Sequence, residues 1–246
     1  MVALSEIPTV STLYATGKLA PISAAKRSAS PSKGINDRVS VYRGDITKLQ
    51  LDAIVNAANQ SLLGGGGVDG AIHRAAGPDL FRECKTLNGC ATGDAKITEG
   101  YELPAKKVIH AVGPVYWQDE DQAPALLEGC YRKSMKICAE NGLKSVGFSA
   151  ISTGVYGYPS GEAAEVACRV VREELEKEEC KQIERVVFVT FEMKDVRAYG
   201  ETLPYVIHFF FEPFSSFLSS LLSSLLSSAF LSLLSLDAGR IRANLE

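Results

Sequence analysis

The sequence predicts an α/β sandwich with a mainly parallel or mixed central sheet. Three observations carry that prediction. Short β-type runs alternate with helical patterns between residues 36 and 207. One run, residues 185–191, is apolar after its first residue, as a strand buried on both faces requires. Glycine-rich segments follow two of the strands, where ligands of such sheets sit.

Each element has a local reason. Residues 39–42 and 53–56 are short β-type runs. Residues 68–76 and 78–87 read as helices, the second with Pro78 in its first turn. Residues 96–98 and 107–112 are strand-like. Residues 123–140 carry Leu126, Leu127, Cys130, Tyr131, Met135, Ile137 and Cys138 at helical spacing. A strand at 145–149 precedes an amphipathic helix at 161–177, with Val166, Val170, Val171 and Leu175 on one side. A short final helix starts over residues 194–200, after the buried strand.

A length of 246 residues predicts one domain with appendages. At 46% hydrophobic and 22% charged residues, the composition excludes whole-chain disorder and a collagenous or disulfide scaffold. A net charge of −3 with pI 5.8 gives no basic face for duplex nucleic acid. The six cysteines, Cys84, Cys90, Cys130, Cys138, Cys168 and Cys180, form no C-x-x-C pair and have no histidine at zinc-ligand spacing. We expect thiols in a reducing compartment, with no metal and no cofactor. Residues 1–34 lack an apolar signal core, so cytoplasm and/or nucleus is the expected location.

Texture divides the chain into residues 1–34, 35–207 and 208–246. The first part is rich in Ser, Ala, Pro and Thr and reads as a loosely held arm with a linker. From Pro213 to Leu236 there is no charge, and Ser and Leu alternate in pairs. The ten serines between residues 215 and 235 argue against a membrane span. The tract reads instead as low complexity, or as a translated pyrimidine repeat. The alternatives are a helix with a weak apolar stripe, on a membrane surface or a partner, and a spanning anchor.

Two segments carry most of the chemical information. Gly64-Gly-Gly-Gly-Val-Asp-Gly70 follows a strand and opens a helix. Its uncovered N–H groups and the helix dipole favour an anion. It is neither a Walker loop nor a dinucleotide fingerprint, because the required Lys and acidic partner are missing. Ser152-Thr-Gly-Val-Tyr-Gly-Tyr158 repeats the same physics after the 145–149 strand. Two such turns on one sheet edge suggest a pyrophosphate gripped by backbone amides, which lets an acidic protein bind an anion.

Side chains around these turns have both plain and functional readings. Asn59 closes a strand and suits either a turn or a sugar hydroxyl. Asp69 is the sole acid of the first turn and suits either a helix cap or general-base work. Asp45 and Ile46 suit a capped turn, or an amine acceptor beside a flat ring. His73, four residues after Asp69, reads as structural or as a support for Asp69. His110 reads as structural. Tyr116 and Trp117 head a polar loop, and either packing or contact with a modified protein fits them.

These segments occur in a fixed order: residues 41–48, 52–59, 64–77, 95–98, 103–106, 108–114 and 151–159. In that order they closely resemble the macrodomain family, specifically the MacroD-type ADP-ribosyl hydrolases, over about residues 36–207. Residues 5–14 also resemble the N-terminal extension of fungal members. The resemblance implies a three-layer α/β/α fold with a six-stranded mixed sheet and an ADP-ribose cleft. It implies that Asp45 accepts from the adenine amine, that Ile46 lies against the ring, and that Phe191, closing its strand, packs on it. It implies that Ala58 borders the cleft. Gly64, Gly65, Gly66, Gly67 and Val68 would wrap the pyrophosphate from one side, and Ser152, Thr153, Gly154, Val155, Tyr156 and Gly157 from the other. Asn59 and Asp69 would face the distal ribose as the catalytic pair, with His73 behind Asp69.

The implied reaction is hydrolysis of the ester joining the distal ribose to Glu or Asp of a mono-ADP-ribosylated protein, or to acetate. A water held by Asp69 would attack, with no covalent nucleophile. The expected partners are ADP-ribose and ADP-ribosylated proteins, and the expected state is a monomer. The alternatives are a non-catalytic ADP-ribose reader and an ADP-ribose 1″-phosphate phosphatase. Asn59 and Asp69 together favour the hydrolase.

Overall fold

The computed structural model describes residues 1–20, 32–119 and 121–207. Along the chain run β1 (Val2–Ala3), α1 (Val10–Ala15), α2 (Lys33–Asn36), β2 (Val39–Arg43), β3 (Leu49–Gln50), β4 (Ala53–Ala58), α3 (Gly67–Ala76), α4 (Pro78–Thr86), β5 (Ala95–Glu99) and β6 (Lys107–Val112). Then come α5 (Ala123–Glu140), β7 (Ser145–Phe148), α6 (Ser160–Glu176), β8 (Arg185–Thr190) and α7 (Met193–Val206).

The main sheet has six strands in the order β2-β8-β7-β4-β6-β5. All neighbours are parallel except β5, which runs antiparallel to β6. Alternation along each strand divides its side chains between two cores. On β8, Val186 and Phe188 face the core shared with α5, α6 and α7, where Leu127, Met135, Val170 and Leu203 pack. Val187 and Val189 face the other core, with Ile72 of α3 and Leu80 of α4. Burial on both faces explains the continuous apolar run, and the result is the expected three-layer α/β/α sandwich.

Three expectations need correction. Residues 1–20 are not a loose arm. β1 pairs with β3, Ile7 and Val10 are buried, and Tyr14 donates to the Ile207 carbonyl. A few well-placed apolar residues outweigh the polar composition there. The strand predicted through residue 191 ends at Thr190, because its partner β2 ends at Arg43. Phe191 lies beyond the ladder and is 75% exposed. The last helix continues past Gly200 to Val206, since burial of Leu203 outweighs the low helix propensity of glycine. The predicted linker at 21–31 and the Ser/Leu tail lie outside the described residues. Among the described residues, no helix is long and apolar enough to cross a membrane.

Candidate active site

A cavity of about 830 Å³ opens at the carboxyl ends of the parallel strands. That volume lies within the range of small-molecule sites. Its walls include Asp45 and Ile46 after β2, Ala58 and Asn59 at the end of β4, and Gly65, Gly66, Gly67, Val68 and Asp69 at the start of α3. Ser152, Thr153, Gly154, Val155 and Tyr156 follow β7 on the opposite wall, and Phe191 follows β8. Of the predicted residues, Gly64, Gly157 and His73 do not line it.

Those three residues shape the walls from behind. Gly64 has φ of +85°, and its carbonyl accepts from Asn59 Nδ2 at 2.9 Å. A Cβ on Gly64 would stand 3.4 Å from the His73 ring. Gly157 has φ of +69°, and a Cβ there would stand 2.7 Å from the Trp117 ring. Trp117, 62% exposed, thus lies over the second turn, while Tyr116 N donates to the Tyr156 carbonyl.

Gly66 is the N-cap of α3 and brings no side chain to the end of the helix, so the first-turn N–H groups lie open beside the cavity. The opposite turn holds Ser152 at φ +65°, a left-handed conformation unusual for a residue with a side chain. Ser149 and Ser152 both line the cavity, and their buried hydroxyls meet no partner among the described residues. Lys194 ties this turn to α7 by donating from Nζ to the Thr153 carbonyl at 2.6 Å. Ser149, Lys194 and Asp195 are lining residues that motif reasoning missed, because they lie outside the glycine segments.

Asp69 is buried and is not the helix cap. Its Oδ1 accepts from Asn56 Nδ2 at 2.7 Å and lies 3.5 Å from His73 Nε2. Its Oδ2 turns toward Gly65, where a Cβ would stand 3.1 Å from it and 3.3 Å from Asn59 Nδ2. Burial raises the carboxyl above its ordinary value, although the Asn56 hydrogen bond and His73 pull the other way. Asn59 forms the turn and stands in the cavity wall. Its Oδ1 accepts from Ser61 N at 3.0 Å and Ser61 Oγ at 2.6 Å. Asp45 forms the predicted capped turn. Its Oδ1 accepts from Thr47 N at 2.9 Å and Thr47 Oγ1 at 2.7 Å, capping a short 3-10 turn, and the residue lines the cavity.

Behind Asp69 lies a buried group that no spacing announces. His73, Cys84 and His110 each bring a potential ligand atom to within 4.8 Å of the others. Hydrogen bonds engage His110 and Cys84 of this cluster, whereas the buried His73 Nε2 makes none among the described residues. His110 Nδ1 lies 3.2 Å from Asn56 Nδ2, and Nε2 lies 2.9 Å from Thr98 Oγ1 and 3.5 Å from Cys84 Sγ. Burial pushes His110 down to about 3 and the Cys84 thiol up to about 12, so both are neutral at physiological pH. The available signal was a polar residue inside an otherwise apolar strand: Asn56 in β4 and His110 in β6.

A Macro domain family model matches residues 55–167. The ADP-ribose glycohydrolase MACROD1 of Bos taurus is 49% identical over 205 residues, covering 83% of this chain and 62% of its own. A Macro domain-containing protein of Methanosarcina mazei is 59% identical over 143 residues, or 58% of this chain and 76% of its own. Among solved structures, the Trypanosoma brucei macrodomain in complex with ADP-ribose is 42% identical with a TM-score of 0.68, covering 81% of this chain and 75% of that one. The chain therefore spans less than two thirds of the bovine protein's length.

Proposed function

This chain belongs to the macrodomain family, and from that premise we propose that it binds ADP-ribose and hydrolyses its ester with a protein carboxylate. The observation that carries the reading is the buried Asp69 carboxylate, raised in pKa and turned by one oxygen toward a cavity walled by two anion-binding turns. The named activity of the bovine relative and the ligand of the trypanosome structure support it.

The physical sequence of events starts with the diphosphate. Backbone N–H groups at the start of α3 and in the 152–156 turn hold it. Ile46 and Phe191 take the flat base, and Asp45 its amine. The distal ribose then lies toward Asn59 and Asp69. Asp69 in its ionised form orients a water and takes one of its protons as the hydroxyl adds to the ester. The ester C–O bond breaks, the departing ribose oxygen takes the proton back from Asp69, and the products are ADP-ribose and a free carboxylic acid. Burial suits Asp69 to this work, because a raised pKa makes a stronger base. The same proposal places the protein in a reducing compartment, cytoplasm or nucleus, a reading supported by its six free cysteines. It takes ADP-ribosylated proteins as partners.

The test is release of ADP-ribose from a protein mono-ADP-ribosylated on glutamate, followed by mass spectrometry for the wild type and Asp69→Ala. Release by the wild type alone is the expected result. No release by a wild type that still binds ADP-ribose in calorimetry would make the protein a reader of the mark.

A further inference from the structure

A single row of hydrogen bonds crosses the sheet edge from β5 to Asp69. Thr98 of β5, His110 of β6 and Asn56 of β4 are all buried, with exposures of 2%, 0% and 0%. The register pairs Asn56 directly with His110, so their side chains meet on one face. We infer that Thr98 and His110 are positioning residues for the reaction proposed above, acting through Asn56 to hold Asp69 Oδ1 on the protein and leave Oδ2 to the cavity.

One assignment of donors and acceptors satisfies the whole row, with Cys84 Sγ, 3.5 Å from His110 Nε2, as a second and weaker acceptor there. The Thr98 hydroxyl has backbone acceptors at Glu99 O, 3.2 Å away, and Val108 O, 3.5 Å away. With its proton given to one of them, Oγ1 offers a lone pair to His110 Nε2 at 2.9 Å. That nitrogen then carries the ring proton, and Nδ1 is left as an acceptor. Nδ1 accepts one Asn56 Nδ2 hydrogen at 3.2 Å, and Asp69 Oδ1 accepts the other at 2.7 Å. Asn56 Oδ1 is left buried without a partner among the described residues, as expected if both amide hydrogens fix the orientation. Moving the ring proton to Nδ1 would reverse Asn56 and turn its Oδ1 toward the carboxylate. That arrangement suits only a protonated Asp69, which is no base. The tautomer of one buried imidazole is thereby linked to the charge of Asp69. Three other groups face Asp69: His73 on α3, Cys84 on α4 and Tyr156 in the second turn. Of these, only Cys84 also lies within hydrogen-bonding distance of His110, with Sγ 3.5 Å from Nε2, and as a weak hydrogen-bonding partner it leaves the choice of tautomer to the closer Thr98 hydroxyl.

Thr98→Val removes the hydroxyl at nearly constant shape, and Thr98→Ser restores it. In the full chain, nitrogen NMR reads the His110 tautomer, carbon NMR reads the Asp69 titration, and kcat/KM for the glutamate ester is followed against pH. The expected wild type keeps its proton on Nε2 between about pH 5 and 9. In Thr98→Val, Nδ1–H becomes populated, and the Asp69 titration and the acid limb of kcat/KM both rise by about one pH unit. Thr98→Ser returns both to wild-type values, and ADP-ribose affinity stays constant throughout. A wild-type Nδ1–H tautomer, or an unmoved Asp69 titration in Thr98→Val, overturns the inference. An Asp69→Asn variant that still hydrolyses the ester overturns the proposed reaction instead, and leaves the tautomer result to stand separately.

Discussion

The two glycine-rich turns face each other across one cavity, yet they are held by different means. The first, before α3, is held by steric exclusion. A Cβ on Gly70 would lie 2.4 Å from the Gly65 carbonyl oxygen, a backbone atom with little room to move. The second turn, after β7, is held by tethers. Lys194 grips the Thr153 carbonyl, Trp117 covers Gly157, and Tyr116 N binds the Tyr156 carbonyl. Its Gly154 meets nothing within 4 Å. The difference teaches that one wall of the cavity is a fixed template, continuous with a buried hydrogen-bond network. The other is a surface loop whose position depends on a few separable contacts.

The largest effect should come from breaking the template. Gly70→Ala forces the turn and α3 apart, and ADP-ribose affinity by calorimetry should fall about 30- to 100-fold, as overpacking of a tight site does. Retained affinity would show that the first turn yields as readily as the second. The buried network behind that turn has its own signature in acid. His110 is held near 3 in the fold against an ordinary 6.5, so the neutral ring favours the folded state above pH 6.5, and that contribution fades as pH falls. Denaturant melts should lose stability below about pH 6.5 with a slope approaching 1.4 kcal/mol per pH unit, and His110→Gln should flatten it. An unchanged slope in the variant would place the acid sensitivity elsewhere.

A smaller effect tests the tethers. Lys194→Met cuts the bond to Thr153, and affinity should fall about three- to tenfold with little change in melting temperature. A loss as large as that of Gly70→Ala would erase the contrast between the turns. Smallest of all, Gly154→Ala has space and an unstrained backbone, and stability should change by less than about 0.5 kcal/mol. A drop in ligand affinity alone would then report contact between this position and the diphosphate.

Much of the site was legible because its signals are local. Four adjacent glycines, an acid two residues after them and a second small-residue turn point to a cavity wall built of open backbone without any knowledge of the fold. Of the residues named on that basis, most do wall one cavity. Gly64, Gly157 and His73 do not, because a one-dimensional motif cannot tell a residue that faces the ligand from one that braces its neighbour. The packing of residues 1–20 was hidden for a related reason. Ile7 and Val10 sit in a polar stretch, and only the distant strand at 39–43 and the core beneath it give them a place to bury.

By itself the sequence determined the sandwich class, through strands apolar on both faces alternating with one-sided helices, and it located both glycine-rich turns that wall the cavity. Only the tertiary structure decided which polar residues act together. Asn56 and His110 are 54 positions apart, and His110 and Thr98 are 12 apart. Their row exists because β4, β6 and β5 are neighbours in one particular register. A slip of one residue would send every side chain of a strand to the opposite face and leave the Asp69 carboxylate buried without its donor. Backbone chemistry is written in adjacent residues, whereas a hydrogen-bonded row across a sheet depends on distances that only the folded chain sets.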